Sequence, residues 1–179
     1  VIPGFLITWA TFPGVIVHEL AHAMFCRLFG IPIYAIKYFQ FSTGFGTPAG
    51  FVIHGRPKSS LASIMISIGP FFLSSIVGAV IASPAVFPVM RFGSGDALDL
   101  FLMWLGLSVA MHAFPSTGDA KAMWSAATGP GSNPVRKLVA APFVGLIYLG
   151  AIGSVFWLDA IYGFAVINAL PNLIVKLFV

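Results

Sequence analysis

The sequence predicts an all-α membrane protein: a multi-pass transmembrane helix bundle of about four or five spans, with a small β-hairpin or loop after the first span. Of the 179 residues, 59% are hydrophobic and only 8% are charged, whereas soluble domains carry roughly 25% charged residues. The apolar runs reach the ~20 residues that cross a hydrocarbon core. A short stretch after the first run combines β-like segments with turn residues. We expect one polytopic domain over residues 1–179.

The apolar runs give the order of the spans. The first is expected to end at the breaker Gly30-Ile31-Pro32, a kink is expected at Pro70, and Pro171 is expected to interrupt the last span. A core of three spans covers residues 2–122, and additional spans cover 138–179; the last two could be one bent unit. The expected spans are Ile2–Phe29, Ser59–Val89, Asp99–Phe114, Leu138–Leu158 and Tyr162–Val179.

The stretch from Ile33 to His54 predicts a hairpin or small sheet. Two β-like runs, IYAIKYFQF and FVIH, are joined by STGFGTPAG, in which glycine and proline favour turns. An exposed strand edge could bind an extended peptide by β-augmentation. The alternative is a structural loop on the membrane surface.

The distribution of charge predicts an orientation. The net charge is +4, but the basic residues are interleaved with spans rather than clustered, which argues against nucleic acid and indicates a lipid bilayer. The positive-inside rule then places the amino terminus outside, the carboxyl terminus inside and the cytoplasmic face on the basic side. Eight of the nine basic residues fall on that side: Arg27, Lys37, Arg56, Lys58, Lys121, Arg136, Lys137 and Lys176.

One ionisable cluster interrupts the first span. His18-Glu19-Leu20-Ala21-His22 matches H-E-x-x-H on a predicted helix. Histidines at i and i+4 share one helix face, so their imidazoles can hold one metal ion. Glu19 is offset around the helix, where it can accept a proton from a water that zinc makes more acidic. Ionisable groups inside a membrane are costly, which favours a function over three idle polar residues satisfied by neighbouring helices.

A catalytic zinc usually has three protein ligands, so a third must lie at the same depth. Asp119, where Pro115 and Gly118 break the helix after the third span, is the preferred candidate. Asp119 could alternatively act as a helix N-cap for AKAMWSAA. The competitors on the same side are His112, His54 and Cys26; the expected topology places Asp96, Asp99 and Asp159 on the opposite face.

Three segments, in order, resemble the site-2 protease family of intramembrane zinc metalloproteases over about residues 2–122. HELAHAMFCRLFGIPI resembles the motif span, SIGPFF resembles the family's G-P-x-x-N helix, and HAFPSTGDA resembles its N-x-x-P-x-x-x-L-D-G segment. The resemblance implies that zinc is bound by His18, His22 and Asp119 and that Glu19 is the general base.

The chain departs from the family's pattern at several positions. Leu73 and His112 stand where the family has asparagine, the spacing from Pro115 to Asp119 is one residue shorter, and Ala120 follows the aspartate in place of glycine. We hypothesise that His112 takes over a substrate-orienting role; the alternative is a packed histidine satisfied across helices.

The sequence therefore predicts a zinc-dependent intramembrane endopeptidase, with Zn²⁺ as cofactor and a membrane-spanning protein as substrate. The active site is expected toward the cytoplasmic side. Two other classes stay open: a non-hydrolytic metal-binding scaffold, and an ion transporter with intramembrane His, Glu and Asp groups. Glu19 argues against the scaffold, because a structural site needs no general base. A transporter often has internal repeats and paired broken helices, which are not visible in the sequence.

Overall fold

The computed structural model describes residues 4–41, 47–57, 59–130 and 132–178. Over these residues the chain is mainly helical, with one two-stranded sheet. A π-helical turn, Pro88–Phe92, directly extends α3. The elements in chain order are α1 (Gly4–Ala10), α2 (Phe12–Leu28), β1 (Ile33–Lys37), β2 (Phe51–His54), α3 (Ser60–Phe87), α4 (Ala97–Met111), α5 (Thr117–Thr128), α6 (Pro134–Ser154) and α7 (Leu158–Phe178).

Helix α3 is the centre of the bundle and packs against α2, α4 and α7. Small residues let α3 and α4 approach closely, since a Cβ on Gly78 would lie 2.6 Å from the Gly106 carbonyl oxygen. A Cβ on Gly106 would likewise lie 2.6 Å from the Gly78 carbonyl oxygen. Small side chains at helix crossings are typical of helices that pack without a hydrophobic driving force between them.

Two helices among the described residues are long and apolar enough to cross a membrane. Ser60–Phe92 has a mean hydropathy of 2.2 and Pro134–Ser154 of 1.6, and Ala97–Met111 is a shorter apolar helix. A mainly helical fold with a small hairpin and two helices that could cross a membrane is therefore confirmed. The full set of spans and their orientation stay predictions.

The first expected span is wrong as one continuous helix, because the chain breaks at Thr11 between α1 and α2. Pro13 lacks a backbone N–H and favours the first turn of a new helix. The Ser108 hydroxyl stabilises the break by donating to the Thr11 carbonyl oxygen (2.9 Å) and accepting from the Gly14 N–H (3.0 Å). At the other end α2 stops at Leu28, before the predicted breaker, where Gly30 has a φ of +65°.

The predicted hairpin is confirmed as an antiparallel pair of strands. Ile33 pairs with His54 and Lys37 pairs with Phe51, with a bulge between Ile33 and Ala35. The predicted turn residues 42–46 and Lys58 lie outside the described residues.

Pro70 lies inside α3 as expected, and the kink there stays a prediction. α7 continues through Pro171, so the predicted interruption at Pro171 is wrong. α6 and α7 are separate helices, joined by a turn in which Trp157 has a φ of 64°. The connector after the third span also contains a helix of its own, α5, which carries Asp119.

Candidate metal centre

Three predicted ligands converge at one point of the bundle. His18 and His22 lie one turn apart on α2, and Asp119 approaches them from the first turn of α5. The His22 Nε2 atom lies 3.1 Å from His18 Nε2 and 3.2 Å from Asp119 Oδ1. One ligand atom from each of the three residues lies within 4.8 Å of the others. The H-E-x-x-H spacing therefore brings both imidazoles to one side of α2, as the sequence predicts.

Backbone carbonyls orient both imidazoles. His18 Nδ1 lies 2.7 Å from the His112 carbonyl oxygen, and His22 Nδ1 lies 2.8 Å from the Ile66 carbonyl oxygen. A carbonyl oxygen can only accept, so each Nδ1 carries the hydrogen, and in the neutral ring Nε2 keeps a free lone pair. Metal-ligating histidines almost always have such a partner on the other ring nitrogen.

The donor set fits a metal ion. In the neutral tautomers the two Nε2 atoms and the Asp119 carboxylate face one another as acceptors, an arrangement that a cation stabilises. Two nitrogen ligands about 2.0–2.1 Å from a tetrahedral zinc lie about 3.3 Å apart, close to the 3.1 Å between the two Nε2 atoms. Two imidazoles and one carboxylate are a common ligand set for catalytic zinc.

The alternative expectation, that Asp119 is itself a helix N-cap, is wrong: Asp119 lies in the first turn of α5, and the N-cap is Ser116. The Oδ1 atom of Asp119 faces His22, while its Oδ2 accepts hydrogen bonds from the Ser116 N–H and the Ser116 hydroxyl, both at 2.7 Å. Asp119 thereby completes the capping box with Ser116. The Oδ2 atom of Asp119 therefore takes part in the capping box of α5, and the Oδ1 atom is available to a metal.

The surroundings of the Asp119 carboxyl favour its ionised form. Burial alone would raise its pKa, but the neighbouring His22 imidazole, with smaller contributions from His18 and the Ser116 hydroxyl, lowers the pKa below its usual range. The group is therefore ionised at neutral pH. An ionised carboxylate is the form that binds metal.

Glu19 is buried beside this group. The residue is 9% exposed, in contrast to Leu20, which follows it and is 47% exposed. Gly50, just before β2, lies directly against it: a Cβ on Gly50 would be 2.7 Å from Glu19 Cγ and 2.9 Å from the Tyr38 carbonyl oxygen. The hairpin backbone therefore passes next to the predicted general base.

The other candidate ligands lie outside the group that the structure brings together. The His112 side chain turns back along α4, with Nδ1 2.9 Å from the Ser108 carbonyl oxygen, and its contribution to the site is its own carbonyl, which accepts from His18. His54 Nδ1 bonds the Gly55 carbonyl at the end of β2. Cys26 is buried in an apolar cluster with Phe25. A substrate-orienting role for the His112 imidazole stays a prediction.

Sequence reasoning missed the residues that support the ligands. Ser116 had a visible signal, because S-T-G-D matches the S-x-x-D form of a capping box. The Ile66 and His112 carbonyls had no such signal, since every residue has a carbonyl and only the fold determines which one lies near each imidazole.

Comparison with protein-family models, with curated proteins and with solved structures finds no match to this chain.

Proposed function

We propose that this chain is a zinc-dependent intramembrane endopeptidase of the site-2 protease type, which cleaves peptide bonds of membrane-spanning proteins. The observation that carries the proposal is the convergence of His18, His22 and Asp119 within 4.8 Å, with Glu19 buried on the same helix. A structural zinc site is usually closed by four protein ligands, whereas a catalytic site keeps one position open. Three protein ligands and an adjacent carboxylate favour the catalytic type.

The chain's own residues have distinct roles in the proposed reaction. When bound, zinc supplies Lewis acidity that polarises the scissile carbonyl and lowers the pKa of water. His18 and His22 hold their Nε2 lone pairs toward the metal position because their Nδ1 hydrogens are bonded to carbonyls. Glu19 takes the proton of the attacking water at its carboxylate and returns it to the leaving amine. Burial of Glu19 keeps bulk water away from this transfer.

The membrane location is supported by the two helices that are long and apolar enough to span a bilayer. The excess of basic residues on one side favours a multi-pass arrangement with the amino terminus outside and the site toward the cytoplasm. Enclosing the site in the bundle would keep soluble proteins from it and restrict cleavage to membrane segments.

A substrate strand is proposed to add to the hairpin. A helical segment has no accessible peptide bond, and an extended peptide can pair with the free edge of a sheet. The close approach of Gly50 to Glu19 supports this route, because a strand aligned on the hairpin would lie near the general base.

The test is Glu19→Gln in proteoliposomes with a panel of single-span polypeptides as substrates. We expect the wild type to cleave at least one of them and Glu19→Gln to lose about 100-fold or more of that activity, with its zinc content unchanged. Retained zinc with no cleavage by either protein would favour the scaffold alternative. Ion flux without cleavage would favour a transporter.

A further inference from the structure

Arg56 links the hairpin to the helix that carries the third ligand. Arg56 lies in the short segment between β2 and α3, and its Nη2 atom donates to the carbonyl oxygens of Ser125 and Ala126, both at 3.0 Å. Those carbonyls belong to the last turn of α5, 69 and 70 residues further along the chain.

This contact adds a donor at the carboxyl end of α5, where the Ser125 carbonyl also accepts from the Gly129 N–H at 3.1 Å. The last four carbonyls of a helix have no partner within the helix, and the carboxyl end of its dipole favours a cation. A guanidinium presents several donors in a fixed plane, so it can bond two carbonyls at once. Arg56 is thus a C-terminal cap supplied from a distant segment.

The space for Arg56 is provided by Gly129. A Cβ at this position would overlap the Arg56 guanidinium. Gly129 has a φ of −74° and a ψ of −177°, an extended conformation that any residue adopts. The backbone conformation at residue 129 therefore does not require glycine. The space that the Arg56 guanidinium occupies does.

The placement of Asp119 depends on contacts of this kind. The backbones of α2 and α5, both fully described, do not pack on each other; each packs on α3. The distance between Asp119 and His22 is therefore set through intermediaries. At the amino end of α5 the intermediary is Ser67 of α3, whose hydroxyl lies 3.4 Å from the Asp119 carbonyl oxygen. Toward the carboxyl end, Met123 and Ala127 pack in an apolar cluster with residues of α3 and α6, and Arg56 adds a polar contact to the last turn.

We propose that Arg56 is a positioning residue for the metal centre: by capping the carboxyl end of α5 it fixes the helix so that Asp119 meets the two histidines of α2. The inference rests on the proposed metal site and extends it to the segment after β2. It also makes the hairpin and the third ligand parts of one connected unit.

The test measures metal binding by full-length protein in detergent, with Zn²⁺ and Co²⁺ as the probes. Two variants break the contact from opposite sides: Arg56→Ala removes the guanidinium, and Gly129→Ala displaces it while leaving the arginine in place. Lys137→Gln, which removes a positive charge from the exposed first turn of α6, is the charge control. Arg56→Lys keeps the charge and a donor.

We expect Arg56→Ala and Gly129→Ala each to weaken zinc binding about tenfold. Direct partners of a ligand cost ~10–100-fold, and the lower end applies because Arg56 acts on Asp119 through α5. The double variant should lose little more than either single one, because both remove the same contact. The visible absorption bands of the Co²⁺ protein should change in both, Arg56→Lys should recover part of the affinity, and Lys137→Gln should bind as the wild type does.

Unchanged zinc affinity and Co²⁺ bands in Gly129→Ala would overturn the inference and leave the proposed metal site intact. The inference would also be overturned if Lys137→Gln weakened zinc binding as much as Arg56→Ala, because the loss of affinity would then come from the loss of a positive charge. Gly129→Ala decides the question if Arg56→Ala does not fold. A wild type that binds neither metal would overturn both the inference and the proposed function.

Discussion

Replacing Ser116 with alanine tests whether the N-cap of α5 also orients the Asp119 carboxylate toward the histidines. The substitution removes the hydroxyl that donates to Asp119 Oδ2 at 2.7 Å and that accepts from the Asp119 N–H at 3.3 Å. The Ser116 backbone N–H still donates to Oδ2. Loss of an N-cap side chain costs about 1 kcal/mol of stability, and loss of an outer partner of a metal ligand costs about 10–100-fold in affinity.

Because Ser116 is exposed, water replaces part of the lost hydrogen bonding, so we expect the lower end of both ranges. Ser116→Ala should lose about 1 kcal/mol of unfolding free energy in the metal-free protein. Its zinc affinity should fall about tenfold, which is about 1.4 kcal/mol of binding free energy. Denaturant titration gives the first quantity and competition with a zinc-binding dye gives the second.

Asn133→Ala is the matched control for this experiment. Asn133 caps α6 in the same way, its side chain accepting from the Arg136 N–H at 2.9 Å, but it lies outside the ligand group. We expect it to lose similar stability and to bind zinc as the wild type does. Equal zinc affinities for Ser116→Ala and Asn133→Ala would refute the conclusion that Ser116 orients the ligand oxygen.

Two further variants test how neighbouring residues serve the site. His112→Ala should keep its zinc, because His18 bonds the carbonyl of residue 112 and not its imidazole; loss of metal, measured by elemental analysis, would contradict this. Gly50→Ala should keep its zinc and lose about 100-fold of the proposed activity, the cost of an ~1 Å misplacement, because a Cβ would lie 2.7 Å from Glu19 Cγ. Gly145→Ala, where a Cβ meets nothing within 4 Å, should cleave substrate as the wild type does.

The ligand group was predictable because its determinants are local or chemically rare. The spacing of His18 and His22 places them on one helix face whatever the rest of the fold does. Asp119 was found because few acidic residues exist in this chain and the expected topology removed most of the others. The hairpin was predictable from the alternation of β-like runs and turn residues.

Other features were not predicted, because they depend on contacts between residues far apart in the chain or on single residues that a hydropathy pattern does not register. The break at Thr11 lies inside one apolar run, so only Pro13 marked it, and its stabilising partner, Ser108, is 97 residues away from Thr11. The contact of Arg56 with the carboxyl end of α5 also joins distant parts of the chain, 69 and 70 residues apart. Pro171 was expected to interrupt a helix, yet α7 continues through it.

The most direct test of the central claim is the zinc content of the purified protein, wild type beside Asp119→Ala. We expect one zinc per chain in the wild type and loss of that zinc in Asp119→Ala, because the carboxylate is one of the three candidate ligands that converge within 4.8 Å. A wild type that holds no zinc after zinc is supplied would contradict the metal site altogether. Full retention by Asp119→Ala would contradict the assigned third ligand.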